Sequence, residues 1–201
     1  MGRRGDHSFE QLNEMIIGAA YSLIEKEGLA NASTRKVAAQ IGYTVGTLYN
    51  VFRNFDDILV HINSRTLDNL NASLNEALEK SNGENTLKSL ANAYLAFSID
   101  NFNLWSMLFE YRFPETHQMP KWYIEKINSI YIPLTNSIKT QFPKMSDKDL
   151  QTNMAIIWAA VHGICALQIK GKLDKVGAES AQMLISNFLD TYSDGLKKRF
   201  A

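Results

Sequence analysis

Apolar residues return at intervals of three and four along almost the whole chain. Leu12, Met15, Ile16, Ala19, Ala20 and Leu23 share one face of a first helix; Ser8-Phe9-Glu10-Gln11 opens it as a capping box and Gly28 stops it. A second, shorter pattern follows Ser33 and carries Val37, Ala38 and Ile41. It ends at Gly42, where left-handed backbone suits a residue without a side chain. Thr44 is the natural cap of a third helix running to about Phe52. Asn54 caps a fourth, to about Ser81, with Asp56 and Asp57 at its positive end. Asn85 or Thr86 opens the next, to about Phe102, and another runs from Asn103 to Arg112. Pro114 and Pro120 bracket a loop. Pro120 begins a helix through Trp122 to about Gln141, which Pro133 is expected to kink. Ser146-Asp147-Lys148-Asp149 caps a long helix through Ile169, and Ala178 to Arg199 forms the last. No segment alternates with period two. The pattern predicts an all-α chain of about nine helices: a three-helix helix-turn-helix domain over residues 1–54, then a larger helical domain over residues 55–201.

Charge narrows what such a fold could bind. Lys plus Arg and Asp plus Glu number 21 each, and apolar residues make up 45% of the 201 positions, an ordinary globular mixture. The balance also holds locally. Through residue 60, Arg3, Arg4, Lys26, Arg35, Lys36 and Arg53 face Asp6, Glu10, Glu14, Glu25, Glu27, Asp56 and Asp57. That counts against a purely electrostatic nucleic-acid binder; Arg3, Arg4, Arg35, Lys36 and Arg53 would have to gather on one face. The single cysteine, Cys165, rules out an intramolecular disulfide framework and fits a reducing compartment. The longest apolar stretch, Met154 to Leu167, holds His162 and falls short of the roughly 20 residues of a membrane span. No apolar leader precedes the first amphipathic pattern, so a cytoplasmic protein is expected.

Two short helices joined at a glycine turn, with polar and aromatic residues opening the second, suit a major groove about 12 Å wide. Thr34-Arg35-Lys36-Val37-Ala38 and Gly46-Thr47-Leu48-Tyr49 carry a more specific signal. From about Ser8 to Leu59 the chain resembles the DNA-binding domain of the TetR family of bacterial transcriptional regulators. The resemblance implies that Thr34 and Arg35 approach DNA from the first helix of the motif, with the Arg35 fork reaching a guanine edge or a phosphate. It implies that Thr44, Gly46 and Thr47 meet backbone and bases, and that Tyr49 donates its hydroxyl to a phosphate. Asn50 is a candidate for adenine, Val45 for a thymine methyl. Three positions depart from the family's habit: Val45 where a polar or basic residue is common, Phe55 where a lysine is common, and Val51 at a histidine-like position. Arg53 is the candidate substitute for the missing phosphate contact.

A second pattern, Trp158-Ala159-Ala160-Val161-His162-Gly163, resembles the "WHG" type of C-terminal domain in one branch of the same family. That resemblance implies a homodimer through the last two helices, a double-stranded operator as partner, and a small-molecule effector. The long helix that carries it is apolar nearly all round, which fits burial against both a core and a partner. Pocket candidates are the aromatic and sulfur-bearing residues Phe97, Phe102, Trp105, Met107, Phe109 and Tyr111, with Phe113, Trp122, Tyr123 and Tyr131, and Trp158 and His162 from the second pattern. Plain core packing is the competing reading for each. Their density favours an apolar or aromatic effector.

Nothing in the chain calls for a cofactor or a metal. There is no glycine-rich phosphate loop and no Gly-x-Ser-x-Gly nucleophile, and His7, His61, His117 and His162 are scattered. His162 and Cys165 lie three apart on one helix, yet two ligands alone make a poor metal site. The expected function is a ligand-responsive repressor that binds a palindromic operator as a dimer. An architectural DNA-binding protein with no effector is the alternative, and an enzyme is not expected.

Overall fold

The computed structural model describes residues 7–177 and 180–200. Among them are ten α-helices, two short 3-10 turns and no strand. The helices are α1 (Phe9–Glu27), α2 (Thr34–Ile41), α3 (Val45–Tyr49), α4 (Phe55–Ser81), α5 (Thr86–Asp100), α6 (Phe102–Glu110), α7 (Lys121–Ser129), α8 (Ile132–Gln141), α9 (Asp147–Ile169) and α10 (Ala181–Phe200).

The caps work as the sequence dictates. Ser8 accepts from the Gln11 backbone while the Gln11 side chain reaches back to the Ser8 N–H, completing the box. Ser33 caps α2, Thr44 caps α3 and Ser146 caps α9, each accepting from the backbone N–H three residues on. Asn54 Oδ1 accepts from Asp57 N at 2.9 Å, which opens α4. Gly42 closes α2 in left-handed backbone (φ 74°), so the chain turns sharply enough to start α3 three residues later.

Three elements differ from expectation. The helix expected to bend at Pro133 is instead two helices, α7 and α8. Pro133 sits in the first turn of α8, where its missing N–H leaves no hydrogen bond unmade. Helix α3 ends at Tyr49 rather than near Phe52: Phe52 is buried, and the chain has left the helix at Asn50 to bring it there. The last helix begins at Ala181; its expected start at Ala178 lies outside the described residues.

Packing divides the chain into two compact units. One falls within Met1–Asp68 and Asn101–Ile124, the other within Asn69–Asp100 and Glu125–Ala201. The first is therefore larger than residues 1–54. Leu104 and Met107 of α6 share a core with Ile16, Ala20 and Ile24 of α1, Val37 and Ala38 of α2, Leu48 of α3, and Ile58, Leu59 and Ile62 of α4. In the second unit α5 packs on α8, α9 and α10, and α9 also packs on α8 and α10. Lys88 Nζ of α5 reaches Asp190 of α10 at 2.7 Å. Tyr192 of α10 donates to Asn153 of α9.

Helix α9 is long and apolar enough to cross a membrane by length and composition, with a mean hydropathy of 1.4 over its best window. About a fifth of that window, 22%, is buried. Leu150, Ile157, Val161 and Cys165 form a buried stripe against the rest of the unit. Ala155, Ile156, Ala159 and Leu167 form an exposed apolar stripe on the other side.

Candidate nucleic-acid interface and apolar cavity

In the first unit the apolar residues of α2 and α3 turn inward and the polar ones are left outside. Val37, Ala38, Leu48 and Phe52 are buried, with Ala38 small enough for the two helices to approach closely. Arg35, Thr44, Gly46, Tyr49, Asn50 and Arg53 are exposed, while Thr34 and Thr47 are half-buried. Tyr49 is a large ring 49% exposed and without a packing reason to be so. Thr44 and Thr47 hold each other through their hydroxyls at 3.0 Å, which fixes the start of α3. Val45 behaves differently from its neighbours. It is half-buried and packs against the core, as do Val51 and Phe55. The three departures from the family's habit are thus apolar residues recruited into packing.

The cations are thinly spread. Lys36 Nζ pairs with Glu27 at 2.8 Å, and Arg53 Nε lies 3.3 Å from Asp57. Arg53 also gives its backbone N–H to Asp57, yet its side chain is 91% exposed, so the pairing is weak enough to exchange for a phosphate. Arg35 has no ion pair among the described residues. Arg3 and Arg4, expected on the same face, lie outside them. His7 Nδ1 and Tyr43 Oη are 2.7 Å apart, which ties the chain before α1 to the turn between α2 and α3.

The segment after α6 braces the start of α4. Tyr111 donates to Asp56 Oδ1 at 2.6 Å, Phe113 meets Tyr111 edge-on and stacks on His117, and His117 Nε2 lies 3.9 Å from Asp57 Oδ1. The bond to the Asp56 carboxylate, aided by burial, pushes Tyr111 up to about 12. A tyrosine raised above its unfolded value of about 10 adds stability that is complete below pH 10 and fades as pH rises towards 12. Tyr111→Phe should lower the unfolding free energy by about 1 kcal/mol at pH 8. It should also flatten the loss of stability between pH 10 and 12, read by urea melts.

Most of the aromatic pocket candidates turn out to belong to this same unit. Trp105, Met107 and Tyr123 are buried in it, and Phe109 packs on Trp105. Tyr111 serves the brace, and Trp122 lies against His61. Phe102 is 45% exposed. None of these lines the apolar cavity of the second unit. Helical periodicity shows that a face is buried, not against which neighbour.

That cavity, about 50 Å³, is lined by Leu70 and Leu74 of α4, Leu87, Leu90, Ala91 and Tyr94 of α5, Ile130, Tyr131 and Leu134 around the start of α8, and Ile157, Trp158 and Val161 of α9. Tyr131 and Trp158 are on its wall, edge to face at 5.7 Å. His162 stands one bond behind it: Tyr94 Oη and His162 Nδ1 are 2.8 Å apart, and Trp158 packs over the imidazole at 5.1 Å. Phe97 is buried in the same unit but is not on the wall. Burial raises Tyr131 above the ordinary phenol range. It pushes the Cys165 thiol up to about 11. The leucines and Tyr94 of this wall were not among the sequence candidates; Tyr94, the tyrosine among the buried residues of α5, was the available signal.

Comparison with known proteins matches two family descriptions. The family description "Bacterial regulatory proteins, tetR family" matches residues 16–62, which hold α2 and α3. "Tetracyclin repressor-like, C-terminal domain" matches residues 87–192, just over half of the chain and inclusive of Trp158 to Gly163. Similar solved structures include a protein with unknown function from Rhodococcus sp. RHA1, at 21% identity and TM-score 0.75, covering 96% of this chain and 98% of that one. The TetR family transcriptional regulator PfmR from Thermus thermophilus is 17% identical with TM-score 0.57, covering 87% of this chain and 94% of its own. A transcriptional regulator (TerR/AcrR family) from Aquifex aeolicus is 18% identical with TM-score 0.54, covering 94% and 99%. A sequence search of curated proteins gave no match.

Proposed function

The chain belongs to the TetR family of bacterial regulatory proteins, DNA-binding transcription regulators rather than enzymes, and from that premise we propose that it is a dimeric repressor released from its operator by a small effector. The observation that carries the DNA reading is the sorting of α2 and α3 just described. Leu48 anchors α3 in the core, while Thr44, Gly46, Tyr49 and Asn50, like Arg35 and Arg53, are exposed and Thr47 is half-buried. In this reading Arg35 and Asn50 read base edges, and Tyr49, Thr34, Thr47 and Arg53 fix the register on phosphates. Val45, half-buried, offers a thymine methyl only a partial surface.

Dimerisation is supported by the second apolar face of α9. Ile156 and Leu167 are 43% and 46% exposed there, and Met183 of α10 is 55% exposed. A second copy, packed through α9 and α10 about a two-fold axis, would cover them and leave a protein at home in the cytoplasm. Two recognition helices so related read a palindrome whose half-sites lie roughly 34–36 Å, or a multiple of that, apart.

The effector site is the apolar cavity. Leu70 and Leu74 on its wall belong to α4, which is continuous from Phe55 to Ser81 and begins just beyond the α3 turn. At about 50 Å³ the cavity is well below the roughly 300–1,000 Å³ of an open ligand pocket, so binding must widen it. Widening displaces α4, and the ligand lowers operator affinity by the difference in its own affinity for the two states.

Binding of the purified protein to the DNA flanking its own gene, with random duplex as control, tests the reading. A gap of about a thousandfold or more, one dimer per footprint and a steep salt dependence are expected. Equal, weak binding to that duplex and to every fragment of a genomic selection would remove the regulator reading.

A further inference from the structure

Helix α5 presents Leu87, Leu90, Ala91 and Tyr94 to the cavity of the second unit, at the spacing of a single helical face. Eleven of the twelve residues on the wall carry side chains of three carbon atoms or more; Ala91 carries one methyl group. Ala91 is only 6% exposed, so its shortness leaves room inside the unit rather than at the surface. The other alanines of α5 differ: Ala93 is half-buried, Ala96 is exposed, and neither is on the wall. Interiors pack at the density of organic crystals. A side chain that is short among long neighbours therefore leaves a void, which the surrounding helices close only in part.

The wall also limits what can enter. None of its residues carries a formal charge, and nine of the twelve are aliphatic. A carboxylate or an ammonium group would lose its water there without gaining a counter-charge. The polar side-chain atoms of the wall belong to Tyr94, Tyr131 and Trp158, and Tyr94 is already bonded to His162. A hydrocarbon guest asks no new bond of any of them. Apolar cavities of about 150 Å³ stay dry and take up compact hydrocarbons such as benzene. At about 50 Å³ this one admits such a guest only by widening, so the room already present beside a short side chain counts for most.

We propose that Ala91 sets the size of the cavity, and that the cavity takes a compact, uncharged hydrocarbon group beside the Ala91 methyl. Each carbon added at position 91 removes room that the guest would use. This selectivity belongs to the cavity itself, and its effect on DNA rests on the cavity being the effector site proposed above.

The test is calorimetric titration of the full chain with toluene, benzoate and benzylammonium, repeated with toluene in Ala91→Val and Ala91→Leu. Toluene alone is expected to bind, at least about tenfold more weakly in Ala91→Val and not detectably in Ala91→Leu. Valine fills existing space, so Ala91→Val is expected to melt within a few degrees of the wild type. Benzoate or benzylammonium bound as tightly as toluene would overturn the proposal. So would wild-type toluene affinity in both variants, or no binding of toluene at all. A large drop in the melting point of Ala91→Val would overturn it too, because no room would then exist beside Ala91. The operator complex is next titrated with toluene. Release from the wild type but not from Ala91→Leu supports both readings. Binding that depends on position 91 without release removes the effector role and leaves the selectivity standing. Release that persists in Ala91→Leu keeps an effector role and removes the part given to Ala91.

Discussion

Ala159→Glu is expected to turn the protein into a monomer and to reduce its affinity for a palindromic operator by at least about a hundredfold. Ala159 is exposed on the outward stripe of α9, between Ile156 and Gly163. Glutamate is a good helix former and meets no buried neighbour within its own chain, so the fold itself should be untouched. In a two-fold interface every substitution occurs twice. Two carboxylates would enter an apolar contact without counter-charges, at several kcal/mol each. Loss of the dimer removes the second recognition helix and with it half of the contacts to the palindrome. Light scattering at micromolar concentration reads the first effect, and a footprint titration reads the second. Unchanged circular dichroism alongside a halved mass is the expected signature; a dimer that survives Ala159→Glu would place the interface elsewhere. The control is Thr152→Glu, exposed nearer the polar start of α9, which should be milder.

What the sequence disclosed, and what it hid, follows from the range of the interactions concerned. Helix ends are set by groups within four residues of one another. Ser8 with Gln11, Ser33 with Lys36, Thr44 with Thr47 and Ser146 with Asp149 are such pairs, and all could be read in advance. Gly42 was legible for the same reason. Pro133 was recognised as a disturbance, but whether a proline bends a helix or begins a new one depends on where the chain must go next. Here Ile130 is buried just before it, and the chain leaves α7 to put it there. The aromatic run from Phe102 to Tyr123 was the least legible. Trp105 and Tyr123 look like pocket residues by composition, yet they are buried in the first unit. The cavity wall is instead mostly leucine, isoleucine and valine, which no composition argument distinguishes from ordinary core. The interface residues lie between these extremes. Arg35, Tyr49 and Asn50 were named as candidates through the resemblance to the TetR family, whereas the inward packing of Val45 depends on the angle between α2 and α3.

Arg35→Ala and Tyr49→Phe should separate the two kinds of DNA contact. Arg35 is exposed on α2 with no ion pair among the described residues, so its guanidinium is available without breaking an existing bond. If it reads a guanine edge, its removal costs about 1–3 kcal/mol per half-site and relaxes selectivity at one base pair. If it holds a phosphate, affinity falls by a similar factor for all sequences, and the slope of log affinity against log salt drops by about one per contact. Tyr49→Phe keeps the ring and deletes only the hydroxyl, so a charge-assisted hydrogen bond to phosphate is lost without the loss of a cation. Affinity should fall about a hundredfold in a dimer, with the salt slope and the base preferences unchanged. Both side chains are exposed, and neither variant should move the thermal midpoint by more than about a degree or two. The pair is therefore read on DNA alone, in affinity at two salt concentrations across operator variants. Wild-type affinity in both variants would mean that the exposed face of α2 and α3 is not the surface that meets DNA.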